Sequence, residues 1–173
     1  VFIDACVFYP PLVRTLVVGA AAKGLLTPLW SARVLEEWRR AIAAKQGVEA
    51  ALGIEERRAV LTAAFPDASV DPDPDLEATL ALPDPADTHV LSGAISSGAE
   101  VLLTFNLRDF PARVLAGHAI EARHPDGFLW ELLSTHEAAM GSVITAALAE
   151  FDIPPERGRA ALKRARLSRL GKA

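Results

Sequence analysis

The chain has little sulfur: one cysteine and one methionine among 173 residues. A lone Cys6 excludes an internal disulfide framework, and without a Cys/His cluster around it a structural zinc site is excluded as well. No apolar run approaches the ~18–20 residues a membrane helix requires. No charged start followed by an apolar stretch and a small-residue cleavage site marks a signal peptide, so the expected compartment is the cytoplasm. The chain does not open with Met, which leaves room for residues before Val1.

Basic residues are also scarce, 18 against 22 acidic ones, for a net charge of −4. Their distribution is uneven. From Arg157 onward stand Arg157, Arg159, Lys163, Arg164, Arg166, Arg169 and Lys172 with no acid, so residues 1–156 carry 11 bases against 22 acids, a net of −11. An acidic body with a basic tail suits an anionic partner, while the plainer reading of the tail is a solvated terminal helix.

What is present is a hydrophobic fraction of 51%, enough for the core of one domain. "VFI" reads as a buried parallel strand. Pro10 and Pro11 open a helix that Gly24 closes, and Ser31 caps a second helix running to about Lys45. Residues 54–64 read as a third helix, and 65–85 as loops around one short extended piece. Asp84 followed by Pro85 starts another helix, and "AEVLLTFN" is a buried strand. From Pro125 the pattern is helical in three segments, broken near Ser134 and at "IPPERG". This alternation predicts an α/β fold with a mainly parallel sheet and helices on both faces.

Ligands in such folds gather beyond the carboxyl ends of the strands. Asp4 ends the first strand, where a carboxylate needs a cation or a hydrogen-bond partner, and Asp109 follows "VLLTF" by a few residues. Helical periodicity separates Glu36 from Glu37. Glu36 aligns with Arg33 and Arg40 as a solvated ion-pairing residue, whereas Glu37 follows Val34 and precedes Ala41 beside Trp38. Asp84 is read as a helix cap. Asp87 shares the stripe of Val90, Leu91 and Ala94 and points inward, the plainer alternative being a capping-box role. Brought together without His or Cys, Asp4, Glu37, Asp87 and Asp109 would form an all-oxygen site suited to Mg²⁺ or Mn²⁺. His89, His118, His124 and His136 are read as unrelated to it.

The segments "FIDACVF", "SARVLEEW", "DPADTHVLSGA" and "VLLTFNLRDFP", in that order, resemble a PIN domain, and within that group the VapC-like toxin ribonucleases of bacterial toxin–antitoxin pairs. The resemblance spans about residues 1–135. It implies a PIN-like three-layer α/β/α fold with C-terminal helices: a nuclease domain over 1–134 and a helical extension over 135–173, packed on it or projecting from it. It places the family's acidic quartet on Asp4, Glu37, Asp87 and Asp109, with Glu36 as rival for the second place. Thr104 and Asn106 match a segment that helps orient an acid or a water. The implied activity is Mg²⁺- or Mn²⁺-dependent hydrolysis of RNA, with Arg108, Arg157, Arg159, Lys163 and Arg164 as candidate RNA contacts. A cognate antitoxin and a homodimer are the implied partners. The alternative is a PIN-like binding module that associates with proteins and cuts nothing. With Cys6 at the second position after Asp4, the D-x-D pattern of a covalent phosphatase is absent, and a receiver domain lacks its acidic pair and late lysine.

Overall fold

A computed structural model describes residues 1–172. Three parallel strands, β1 (Phe2–Ile3), β2 (Val101–Leu103) and β3 (Glu121–Arg123), form the sheet in that order. Phe2 registers with Leu102, and Leu102 with Ala122. Single-residue parallel bridges, Leu29 to Phe2 and Ser69 to Trp30, extend the sheet beyond β1. The strands are short, and their carboxyl ends lie on one edge, where Asp4 N–H donates to the Leu103 carbonyl (3.1 Å) and Thr104 N–H to that of Arg123 (3.0 Å).

Ten helices surround this sheet among the described residues: α1 (Ala5–Phe8), α2 (Pro11–Ala22), α3 (Ala32–Gln46), α4 (Val48–Ala64), α5 (Pro74–Thr79), α6 (Thr88–Ser96), α7 (Ala112–Leu115), α8 (Pro125–Thr135), α9 (Glu137–Glu150) and α10 (Pro155–Arg164). The expected α/β architecture with C-terminal helices is present. Pro11 opens α2, and Gly24 follows it at φ +70°. The Ser31 hydroxyl caps α3 by accepting from Val34 N–H at 3.2 Å.

Three local expectations are corrected, and one strand is added. The third helix begins at Val48, not 54, because Gly47 at φ +92° links α3 directly to α4. The region 65–85 contains α5, which Asp73 caps by accepting from the N–H groups of Asp75 and Leu76. The helix expected at Asp84 begins as a 3-10 turn, Pro85–Asp87, and becomes α-helical at Thr88. The added strand, β3, carries Glu121 and Arg123 and has no continuous apolar run to mark it in the sequence.

The C-terminal helices share the core. Buried residues from Phe2 to Leu170 form one cluster, which includes Met140, Val143, Leu162 and Leu167. A β-carbon added at Gly19 of α2 would lie 2.8 Å from Val143 of α9, so α9 sits on α2 at close range.

α6 crosses the sheet in the same manner. A β-carbon on Gly93 would stand 2.6 Å and 2.7 Å from two ring atoms of Phe2, a residue with 0% exposure. The ring is walled in and cannot retreat cheaply. Gly93→Ala is therefore expected to lose up to about 2 kcal/mol: overpacking costs roughly 1–3 kcal/mol and better helix propensity returns about 1. Urea denaturation checks this, and an unchanged midpoint would show that Phe2 has space to move.

Candidate functional site

Asp4 leaves β1 and is 6% exposed. The Thr104 hydroxyl donates to its Oδ2 at 2.7 Å and the Cys6 thiol to the same oxygen at 3.0 Å. Thr104, itself 0% exposed, also accepts from Asn106 N–H at 2.9 Å. Cys6 accepts from Phe105 N–H at 3.2 Å. These contacts tie the loop after β2 to the start of α1 and answer how a carboxylate is tolerated there: two donors, one from the end of the neighbouring strand and one from α1, hold it. Burial, and then the negative charge of Asp4, pushes the Cys6 thiol far above its usual range, which makes it a donor and not a thiolate.

Asp87 immediately precedes α6. That helix runs antiparallel to β2, to which it connects through the turn at Gly98, so its start lies near the carboxyl edge of the sheet. The Asp87 side chain accepts no cap hydrogen bond, whereas Asp84 accepts from Ala86 N–H at 2.9 Å. The capping role belongs to Asp84. Burial, with the charges of Asp4, Asp84, Asp109 and Glu37, pushes the Asp87 carboxyl up to about 6. Carboxylates from chain positions 4 to 109 therefore share one field at Asp87. They do not close into a chelate: among the described residues no three His, Cys, Asp or Glu side chains are grouped to hold a metal ion. An all-oxygen donor set of this kind fits a hard divalent ion.

A family model described as PIN domain matches residues 1–108. The chain belongs to the PIN domain family. Among curated proteins, one of Mycobacterium tuberculosis carrying the name "Putative ribonuclease VapC50" is 41% identical over 69 residues, which is 40% of this chain and 41% of that protein. The chain thus matches less than half the length of that relative. No solved structure matches. The family match holds Asp4, Glu37, Asp87, Thr104 and Asn106, ends one residue before Asp109, and leaves α8–α10 outside, short of the expected 135.

In this PIN domain Glu37 stands in the second turn of α3, 3.7 Å from Arg33 Nε and 2.8 Å from His89 Nε2. His89, 1% exposed, has no aligned hydrogen bond on either ring nitrogen, so the contact is an ion pair only with the ring protonated. From the sequence His89 is expected to be unrelated to the acidic residues. The structure corrects this, because Thr88 through Ala94 are all buried and α6 has no solvent face along that stretch. Glu36 engages Arg39 (2.7 and 2.8 Å) and Arg40 (2.9 Å), with Arg58 at 3.5 Å, and these hydrogen bonds hold its carboxyl down at about 2. Arg33, expected beside Glu36, instead meets Glu77 at 2.9 Å and Glu37.

A cleft of about 420 Å³ opens at Asp4, lined also by Cys6, Tyr9, Glu37, Lys45, Phe105, Asn106 and Arg166. Asp87 and Asp109 do not line it. Of the basic candidates, Arg108, Arg157, Lys163 and Arg164 are exposed and outside the cleft, while Arg159 donates to the carbonyls of Gly171 (2.8 Å) and Lys172 (3.4 Å).

The Asp87 shift has a pH signature. A carboxyl whose native value is raised from the ordinary 3.8 to about 6 contributes stability that is complete below about pH 4 and is lost as the pH rises through about 6. Asp87→Asn is expected to lose less stability than the parent between pH 4 and pH 7 in chelator. Glu36, held low, acts in a separate window below pH 4.5 and cancels in the difference. Equal slopes for the two proteins, measured by urea denaturation, would remove the shared field.

Proposed function

We propose that this PIN domain is a divalent-metal-dependent endoribonuclease, the toxin of a toxin–antitoxin pair. The observation carrying the proposal is the shared field of Asp4, Glu37, Asp109 and Asp84 at Asp87, which raises its carboxyl to about 6 at the carboxyl edge of a parallel sheet. The family membership and the ribonuclease name of the M. tuberculosis relative support the same reading.

Asp4 and Asp87 are the proposed direct ligands of Mg²⁺ or Mn²⁺, with Glu37 and Asp109 binding directly or through water. A divalent ion held there would stabilise charge on a phosphodiester and acidify an attacking water. The remaining roles fall to the chain itself. Thr104 and Cys6 fix Asp4 Oδ2 and thereby aim the carboxylate. Arg33 and His89 bracket Glu37 from two helices. No side-chain nucleophile is needed, and Cys6 as a neutral thiol is unsuited to be one. An antitoxin and a second copy of the chain are the proposed protein partners, for which the exposed apolar Val48, Leu52 and Val60 of α4 offer surface. No helix among the described residues is long and apolar enough to cross a membrane.

Incubation with unstructured RNA in Mn²⁺ and, separately, in EDTA tests the proposal. Cleavage in Mn²⁺ alone, leaving 5′-phosphate and 3′-hydroxyl ends, is expected. RNA left intact in Mn²⁺, with no metal-induced rise in melting temperature, would favour the binding module.

A further inference from the structure

We propose that the C-terminal segment delivers Arg166 into the cleft beside Asp4, where together with Lys45 it grips the RNA backbone next to the reacting phosphate. This rests on the ribonuclease reading and extends it to a part of the chain that lies outside the family match.

An acidic site repels its substrate, so cations must stand close by to gather it. Two line the cleft. The Arg166 guanidinium lies over the Phe105 ring, 4.6 Å from its centre, and Lys45 Nζ lies over the Tyr9 ring at 4.9 Å. Both aromatic residues line the same cleft as Asp4 and Glu37. Neither cation has a carboxylate partner within ion-pair distance among the described residues, whereas Arg33, Arg39, Arg40, Arg58 and Arg123 are all paired. Aromatic faces orient the two charges without neutralising them, which leaves their donors for phosphate oxygens. Burial, and then the charge of Arg166, holds the His124 imidazole beside Phe105 below its ordinary value.

The segment is anchored well enough to serve as a fixed arm. Leu167 and Leu170 are 0% and 2% exposed. The Asp126 carboxylate accepts from the N–H groups of Arg169 (2.9 and 3.0 Å) and Leu170 (2.9 Å). Arg169 stacks on Trp130 at 3.8 Å. Arg166 itself terminates α10 in a left-handed turn at φ +64°, its N–H donating to the Lys163 carbonyl and that of Leu167 to Leu162. Gly24 and Gly98 close α2 and α6 with the same pattern, so glycine satisfies this backbone at lower cost than arginine.

That geometry makes the test sharp, because Arg166→Gly removes the cation and relieves the turn at once. The melting temperature is expected to hold or rise. Affinity for single-stranded RNA is expected to fall about 3- to 10-fold, and the slope of log K against log salt to become shallower by about 0.7 for one lost phosphate contact. Arg166→Lys should lie between, keeping charge but losing the planar fork. Lys23→Gln, an equal loss of charge outside the cleft, should leave the slope unchanged. If the parent cleaves RNA but Arg166→Gly matches it in affinity and slope, or if Lys23→Gln shifts both equally, the arm is overturned and the nuclease stands. If the parent binds RNA without cleaving it while Arg166→Gly binds less, the arm stands and the nuclease reading falls. A parent that binds no RNA overturns both.

Discussion

Asp4→Asn is expected to lower RNA cleavage by about 10²–10³-fold, the scale typical for removing one charge-stabilising group from a reaction centre, and to do so without unfolding the chain. Both halves follow from the two oxygens of Asp4. Oδ2 is held by the Thr104 hydroxyl and the Cys6 thiol, and an amide oxygen can accept from both in its place. The other oxygen, which accepts no hydrogen bond among the described residues, becomes an NH₂ group that repels a cation and cannot ligate it. Stability in chelator should hold or increase, because one of the charges that raise the Asp87 carboxyl is gone. Mn²⁺ should raise the melting temperature of the parent and leave that of the variant unmoved. A variant that cleaves within a few-fold of the parent would remove Asp4 from the chemistry and dissolve the proposed quartet.

Why Asp4 was readable at all is a matter of contrast: a carboxylate at the end of an apolar strand cannot be there without a partner. Glu37 was separable from Glu36 by helical phase alone, and the structure gives Glu36 three arginines while Glu37 lines the cleft. Caps carried similar information. Ser31 and Asp84 announce helix starts because a short oxygen-bearing side chain satisfies an otherwise unpaired N–H, and both do so here. Illegible features depend on neighbours distant in sequence. β3 is a strand because it pairs with β2, not because Glu121 and Arg123 favour one. His89 meets Glu37 because α6 is enclosed along most of its length. Arg166 reaches Phe105 because Asp126, some forty residues earlier, holds the backbone just beyond it.

Thr104→Val should be the more damaging change to the fold, although it preserves shape and apolar volume. It removes the hydroxyl that donates to Asp4 at 2.7 Å and also the acceptor for Asn106 N–H at 2.9 Å. A hydrogen bond to a charged group contributes about 1.5–3 kcal/mol, and a buried donor left without an acceptor costs about 1–3 more. Asn106 is exposed and can turn part of that loss over to water, so the expected net destabilisation is about 2–4 kcal/mol. Thr104→Ser keeps both hydrogen bonds and gives up one methyl, about 0.8 kcal/mol. The two variants therefore separate hydroxyl from volume: Ser should retain stability within about 1 kcal/mol and most of the RNA cleavage, and Val should lose both. Equal stability of Val and Ser by urea denaturation would mean that the Cys6 thiol alone suffices to hold the buried charge, and Thr104 would then be a packing residue that happens to carry an oxygen.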